Sequence, residues 1–331
     1  MFALPFVHTA QAQSDDSDSL YDELRALFQD DALSFGALLQ SQAEVHWDPE
    51  RQGENTFRVA DARLKVYGNL DNNFSYVLQT RFTDSPAILD ANISYTGNRF
   101  ALTAGAQKPG ISGEFLTPAS NTDFVNRSQV VSALVQRRDI GLKARFILSP
   151  SVYLSGGMFN GTNQKLENSN NTFYYTGRLV FYPDMGENDE LRIGVNAAHS
   201  NENGTLIGNG FLPQVDGDRT IYGGDIRLES GRLLLSSELL LADLEYAAGI
   251  EDEVRGFQVT GGYRVSEKTQ LLLRFDHLES DIIAIPEEDL LLAGLNLNFT
   301  GTTSFQFNYQ VNPDDADFGN HRWLAQVQVA F

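Results

Sequence analysis

The 331 residues carry a net charge of −20 and no cysteine, and 42% of them are hydrophobic. The acidic balance argues against a nucleic-acid partner, which needs a basic footprint to neutralise phosphates. The missing cysteines exclude disulfides, thiolate catalysis and thiolate metal sites, and no run reaches the roughly 18 uncharged apolar residues of a membrane-spanning helix.

In chain order, residues 1–12 combine an apolar patch (Phe2, Ala3, Leu4, Phe6, Val7) with Ala10-Gln11-Ala12, a small-residue cleavage pattern. They read as the remnant of a secretory signal peptide, although the positive n-region is missing and an apolar N-terminus fits the same residues. Residues 13–33 are acidic. Leu20, Tyr21, Leu24, Leu27 and Phe28 fall there at helical spacing behind Ser17, Asp18 and Ser19, which predicts a short amphipathic helix, as a surface tether, a periplasmic contact between subunits or a lid under the pore.

From Ser34 the period changes to two. Leu39, Ser41, Ala43, Val45 and Trp47 alternate with Gln40, Gln42, Glu44 and His46, and the last strand alternates Trp323, Ala325, Val327, Val329 and Phe331 with Arg322, Gln326 and Gln328. The same test predicts sixteen strands over residues 34–331. Connections after even strands are short, such as Gly97-Asn98 and Glu229-Ser230-Gly231. Those after odd strands are longer and polar, including Lys108 to Asp139, Ser200 to Arg219 and Glu245 to Gly256, with Thr83 to Pro86 as a short exception. Even number, parity and one apolar face per strand define a 16-stranded antiparallel transmembrane β-barrel with periplasmic turns and outer loops. Trp47, Tyr67, Phe82, Tyr95, Phe181 and Trp323 fall near strand ends, as an aromatic girdle would.

If the apolar face meets lipid, the other face surrounds water. Arg63, Lys65, Arg81, Lys143, Arg145, Arg178, Arg192, Arg227, Arg264, Arg274 and Arg322 fall on it, against Glu44, Asp61, Asp90, Asp225, Glu238 and Asp276. Such a wall favours anions by focusing its field into the lumen; equally, its arginines and acids pair with one another and leave little selectivity. The connection Lys108 to Asp139 is too long and too apolar for a solvated loop, with Ile111, Phe115, Leu116, Phe124 and Val125. It is expected to fold inward and narrow the pore, with Glu114 and Asp123 facing the basic wall and Lys108 and Arg127 near the constriction.

The runs Gly105-Ala106-Gln107-Lys108-Pro109-Gly110, Phe124-Val125-Asn126-Arg127-Ser128 and Arg138-Asp139-Ile140-Gly141-Leu142, with Ala62 to Gly68 and Leu89 to Tyr95, resemble the phosphate-selective porin O and P family. The resemblance implies a homotrimeric channel of the bacterial outer membrane that guides phosphate or other anions past basic residues, onto which Lys65, Lys108, Arg127 and Lys143 map. The chain departs from that pattern in its few lysines and its acidic outer loops.

Catalytic signals are weak. His8, His46, His199, His277 and His321 show no metal-ligand spacing, and Gly110-Ile111-Ser112-Gly113 is not a nucleophile elbow. His199 and His277 fall on the outward face near the outer ends of their strands. Asp314-Asp315-Ala316-Asp317 reads as a solvated acidic loop rather than a calcium site. The expected function is passive diffusion of small anionic or polar solutes by a protein embedded in outer-membrane lipid, without cofactor or catalysis. Its expected pore residues are Arg63, Lys65, Arg81, Lys108, Arg127, Lys143 and Arg145, and its constriction residues Glu114 and Asp123. A barrel enzyme or surface-binding barrel with a closed lumen is the alternative.

Overall fold

The computed structural model describes residues 32–47, 55–71, 73–83, 85–135, 138–162, 171–186, 189–285, 288–314 and 321–331. The signal remnant, the acidic helix and most of the Asp314 to Asp317 run lie outside them.

Sixteen antiparallel strands close into one barrel, β1 pairing with β16. They are β1 Ser34–His46, β2 Thr56–Asn69, β3 Phe74–Arg81, β4 Ala87–Thr96, β5 Phe100–Gln107, β6 Asp139–Ser149, β7 Val152–Phe159 and β8 Tyr174–Phe181. The second half comprises β9 Asp189–Thr205, β10 Val215–Ser230, β11 Leu233–Tyr246, β12 Ile250–Ser266, β13 Thr269–Ser280, β14 Asp289–Asn298, β15 Thr303–Val311 and β16 Arg322–Ala330. The loop between β5 and β6 carries two short helices, α1 Gly113–Leu116 and α2 Gln129–Leu134. Closing the sheet leaves no edge with unpaired backbone groups, which lipid could not solvate.

The seam is drawn together by the alternation of the first and last strands. Leu38 pairs with Ala330 and His46 with Arg322 in one unbroken register. On the inner face Gln40 donates to Gln328 at 2.7 Å, Gln42 to Gln326 at 3.0 Å, and Gln326 to Gln306 of β15 at 3.1 Å. Each amide both donates and accepts, so a row of glutamines satisfies itself laterally where water is scarce. Outside, Leu39 and Val45 are exposed, as the two-residue period requires.

The wall is not of uniform height. β3, β5, β7 and β8 have 8 residues each, whereas β9 and β12 have 17 and β10 has 16. Here the structure corrects two expected loops. Ser200 to Arg219 and Glu245 to Gly256 are mostly strand, reduced to residues 206–214 and the turn 247–249. On β11 the outward row runs Leu233, Leu235, Leu239, Leu241 and then Asp243 and Glu245, so the sheet continues past the lipid into water. The lost apolar face made the extension look like loop.

Aromatic residues mark both ends of the lipid-facing band. Trp47 and Phe82 at the outer end and Phe181 at the periplasmic end are exposed. Tyr95 packs between Phe74 and Phe100, and Trp323 stacks on Tyr309, ring centroids 4.5 Å apart. Tyr67 departs from the expected girdle: it shares the inner face with Lys65, whose ammonium lies 4.5 Å from the ring centroid.

Candidate functional site

The loop from Lys108 to Arg138 folds into the lumen, and each part of it meets a different stretch of wall. α1 begins at Ser112, whose backbone is left-handed (φ 65°) and whose Oγ accepts the Phe115 N–H at 3.0 Å. A single helical turn leaves its last carbonyls without helical donors. Lys108 supplies them, donating to the Phe115 and Thr117 carbonyls, and Arg127 donates to the Glu114 and Thr117 carbonyls at 3.2 and 2.7 Å. Both side chains lie near the Phe115 ring, at 4.8 and 5.9 Å from its centroid.

Glu114 binds the opposite wall. Its carboxylate pairs with Arg274 of β13 at 3.1 Å and accepts from Ser128 N and Oγ, while its own N–H donates to Glu238 of β11 at 2.9 Å. Beyond it, wall amides hold the backbone of the loop's tip. Gln328 donates to the Ser120 carbonyl at 3.0 Å, Gln306 to Thr122 at 2.8 Å and Asn296 to Asp123 at 2.9 Å, and the Val125 N–H donates to Asn308 at 2.8 Å. Irregular backbone at membrane depth is tolerated only with such partners.

α2 then buries Val130, Val131, Ala133 and Leu134 against inner residues Ile221, Leu240, Ala242, Leu244, Val254 and Leu278. Residues 206–214 fold over it: the Asn209 N–H donates to the Ser132 carbonyl at 2.7 Å. Gly208 is left-handed (φ 51°), and a Cβ there would meet the Ser132 and Ala133 carbonyl oxygens at 2.3 Å. The expectation that the inner face everywhere surrounds water is therefore corrected. Along β10 to β13 it is dry and apolar around α2, because the loop brings a greasy helix face that needs cover.

A cavity of about 1230 Å³ lies beside β1 to β6, β10 and β12 to β16, reaching the periplasmic turn at residues 300–303. Its charged lining is Arg63, Lys65, Lys108, Arg138, Lys143, Arg227 and Arg264 against only Asp90 and Asp123. Both acids are bound: Asp90 to Arg138 at 2.8 Å, Asp123 to Arg227 at 2.7 Å. Arg63 pairs with Asp61. Lys65, Lys108 and Lys143 make no ion pair among the described residues; the Lys143 ammonium donates to the Lys108 carbonyl at 2.8 Å. Across the cavity the loop presents Leu116, Pro118, Ala119, Asn121 and Thr122. Burial pushes the Lys108 amine down to about 6, with Arg127 and Arg138 adding to the effect, and burial likewise lowers Arg127.

Of the residues expected at the pore, Arg63, Lys65, Lys108, Lys143 and Asp123 line this cavity, and Arg81, Arg127, Arg145 and Glu114 do not. Arg127 is turned into the loop, where bare carbonyls hold it, and Glu114 faces the basic wall at Arg274, away from the cavity. Arg145 lies against Tyr153, 5.8 Å from its ring centroid. Arg81 stands opposite Arg63 in the β2–β3 register. Arg227 and Arg264, expected on the lumen face though not among the pore residues, also line it, as does Arg138, for which the only signal was its place at the loop's end, next to Asp139.

The sequence profile of the phosphate-selective porin O and P family matches residues 39–272, well over half of the chain. The chain belongs to that family. It is an outer-membrane porin of a bacterium. Solved structures share its fold at low identity. The anion-selective porin of Comamonas acidovorans is similar with a TM-score of 0.66 at 12% identity, covering 91% of this porin and 99% of that chain. The outer-membrane channel DcaP of Acinetobacter baumannii has a TM-score of 0.61 at 13% identity, covering 90% and 97%. OmpT of Vibrio cholerae, in a trimer form, has a TM-score of 0.64 at 11% identity, covering 91% and 99%. No curated protein sequence matches the porin.

Proposed function

We propose that the porin carries small anions, phosphate among them, by passive diffusion through the basic half of its lumen. The observation that carries this reading is the contrast in pairing at the cavity: its two acids are each held by an arginine, while Lys65 and Lys143 line it without a carboxylate partner. An anion passing there meets more basic groups than acids, and the loop's acid, Asp123, is already held by Arg227. In a low-dielectric wall that field is focused along the path. The name of the Comamonas acidovorans neighbour, an anion-selective porin, agrees with the reading.

The loop and α2 occupy the other half of the lumen, so unit conductance is small. Planar-bilayer recording in a potassium chloride gradient tests the proposal. The reversal potential lies on the chloride side, and phosphate added on one side carries current; a cation-selective reversal potential overturns it.

We propose a channel rather than an enzyme. Ser112 is fully buried inside the lumen, whereas His199 and His277 lie on outward-facing rows, so the barrel wall separates the residues a hydrolytic dyad would need. A homotrimer is proposed from the trimer form of the Vibrio cholerae neighbour. Native mass spectrometry of detergent-folded porin checks the stoichiometry.

A further inference from the structure

The outer rim of the tall wall carries a cluster that permeation does not use. His277, Glu279 and Glu288 offer one nitrogen and two carboxylate oxygens within 4.8 Å of one another. They lie where the lipid-facing row of β13, Leu271 and Leu273, gives way to charged residues.

We propose that these three side chains bind a divalent transition-metal ion of the zinc class. Each ligand is held by groups that leave its metal-facing atom available. His277 Nδ1 is 2.7 Å from Asp289 Oδ1, which fixes the tautomer with the proton on Nδ1 and directs the Nε2 lone pair toward Glu279, whose Oε2 is 3.8 Å away. The imidazole also lies against the Phe257 ring, centroids 5.4 Å apart, which restricts its rotation. Arg255 Nε takes the other Glu279 oxygen, Oε1, at 2.5 Å, and its Nη2 pairs with Asp281 at 3.0 Å. The Glu288 backbone is fixed through its carbonyl, which accepts the Leu278 N–H at 3.0 Å.

A carboxylate behind a histidine is the arrangement that orients histidine ligands in metal sites. One imidazole and two carboxylates suit zinc-like ions, and two negative charges match a dication. Three protein ligands leave coordination positions open to water on the outer surface.

The test is calorimetric titration of the detergent-folded porin with Zn²⁺ alone at neutral pH. One ion binds per chain. His277→Ala and Glu279→Gln each weaken binding at least about tenfold, and Asp289→Asn weakens it about tenfold with all three ligands intact. His199→Ala, on the same rim, leaves binding unchanged. The proposal is overturned if zinc binds no tighter than about 1 mM, if His277→Ala binds as the parent does, or if His199→Ala loses binding equally. Should His277→Ala fail to fold, the partly exposed Glu279→Gln decides the same question.

Discussion

The two halves of the lumen are built from the same alternating strands yet solve opposite problems. Around the inward loop, three inner arginines of β8, β10 and β13 are spent on structure. Arg178 pairs with Asp225 at 2.6 Å, Arg219 with Glu202 at 3.3 Å and Arg274 with Glu114 at 3.1 Å, all with side chains almost wholly buried on the arginine side. Beside β2 to β6 the bases are more numerous than the acids and face a cavity. A basic residue on the inner face is thus not by itself a selectivity element; its partner decides.

Substitutions on the two sides sharpen that contrast. The largest effect is expected from Asp225→Asn, which strands Arg178 and Arg192 in a buried setting. It lowers stability by about 3–5 kcal/mol, read as the urea midpoint of the detergent-folded barrel. Gly256→Val follows. A Cβ there would lie 2.4 Å from the His277 carbonyl oxygen and 3.0 Å from Val130 Cβ, so it forces α2 off the wall. The expected cost is about 1–3 kcal/mol, again by urea unfolding.

On the open side the order of effects reverses. Lys65→Gln with Lys143→Gln leaves stability within about 0.5 kcal/mol but moves the reversal potential strongly toward cations. Unchanged selectivity would remove the basis of the comparison. Asp123→Asn removes one of the two carboxylates on Arg227, Glu229 keeping its pair at 2.9 Å, and raises anion preference, a smaller shift of opposite sign. The smallest effect is that of pH. With Lys108 held near 6 by burial, its charge appears only as pH falls through that value. Anion preference therefore rises between pH 8 and pH 5, and Lys108→Gln abolishes that rise.

Most of the barrel was legible because its signal is local. The outward and inward rows of β1 and β16 can be counted from neighbouring residues, and the number of strands and the parity of turns follow from that count. Where the rule failed, a third body intervened. Leu240 and Leu272 point inward against α2 and Phe124, and a two-residue period carries no information about a loop that arrives from β5. Nothing local marks Gln306, Asn296 and Asn308 among inner-face amides, yet they hold the backbone of the loop's tip.

The sequence by itself determined the closed sheet, its two faces and the inward course of one loop, because backbone pleating and the insolubility of bare peptide groups in lipid leave few other arrangements. Only the tertiary structure decided which charges remain for a solute. The acids that neutralise Arg138, Arg227 and Arg274 lie 48, 104 and 160 residues away in the chain. Charge pairing acts over a few ångströms of space, and distance along the chain does not encode it.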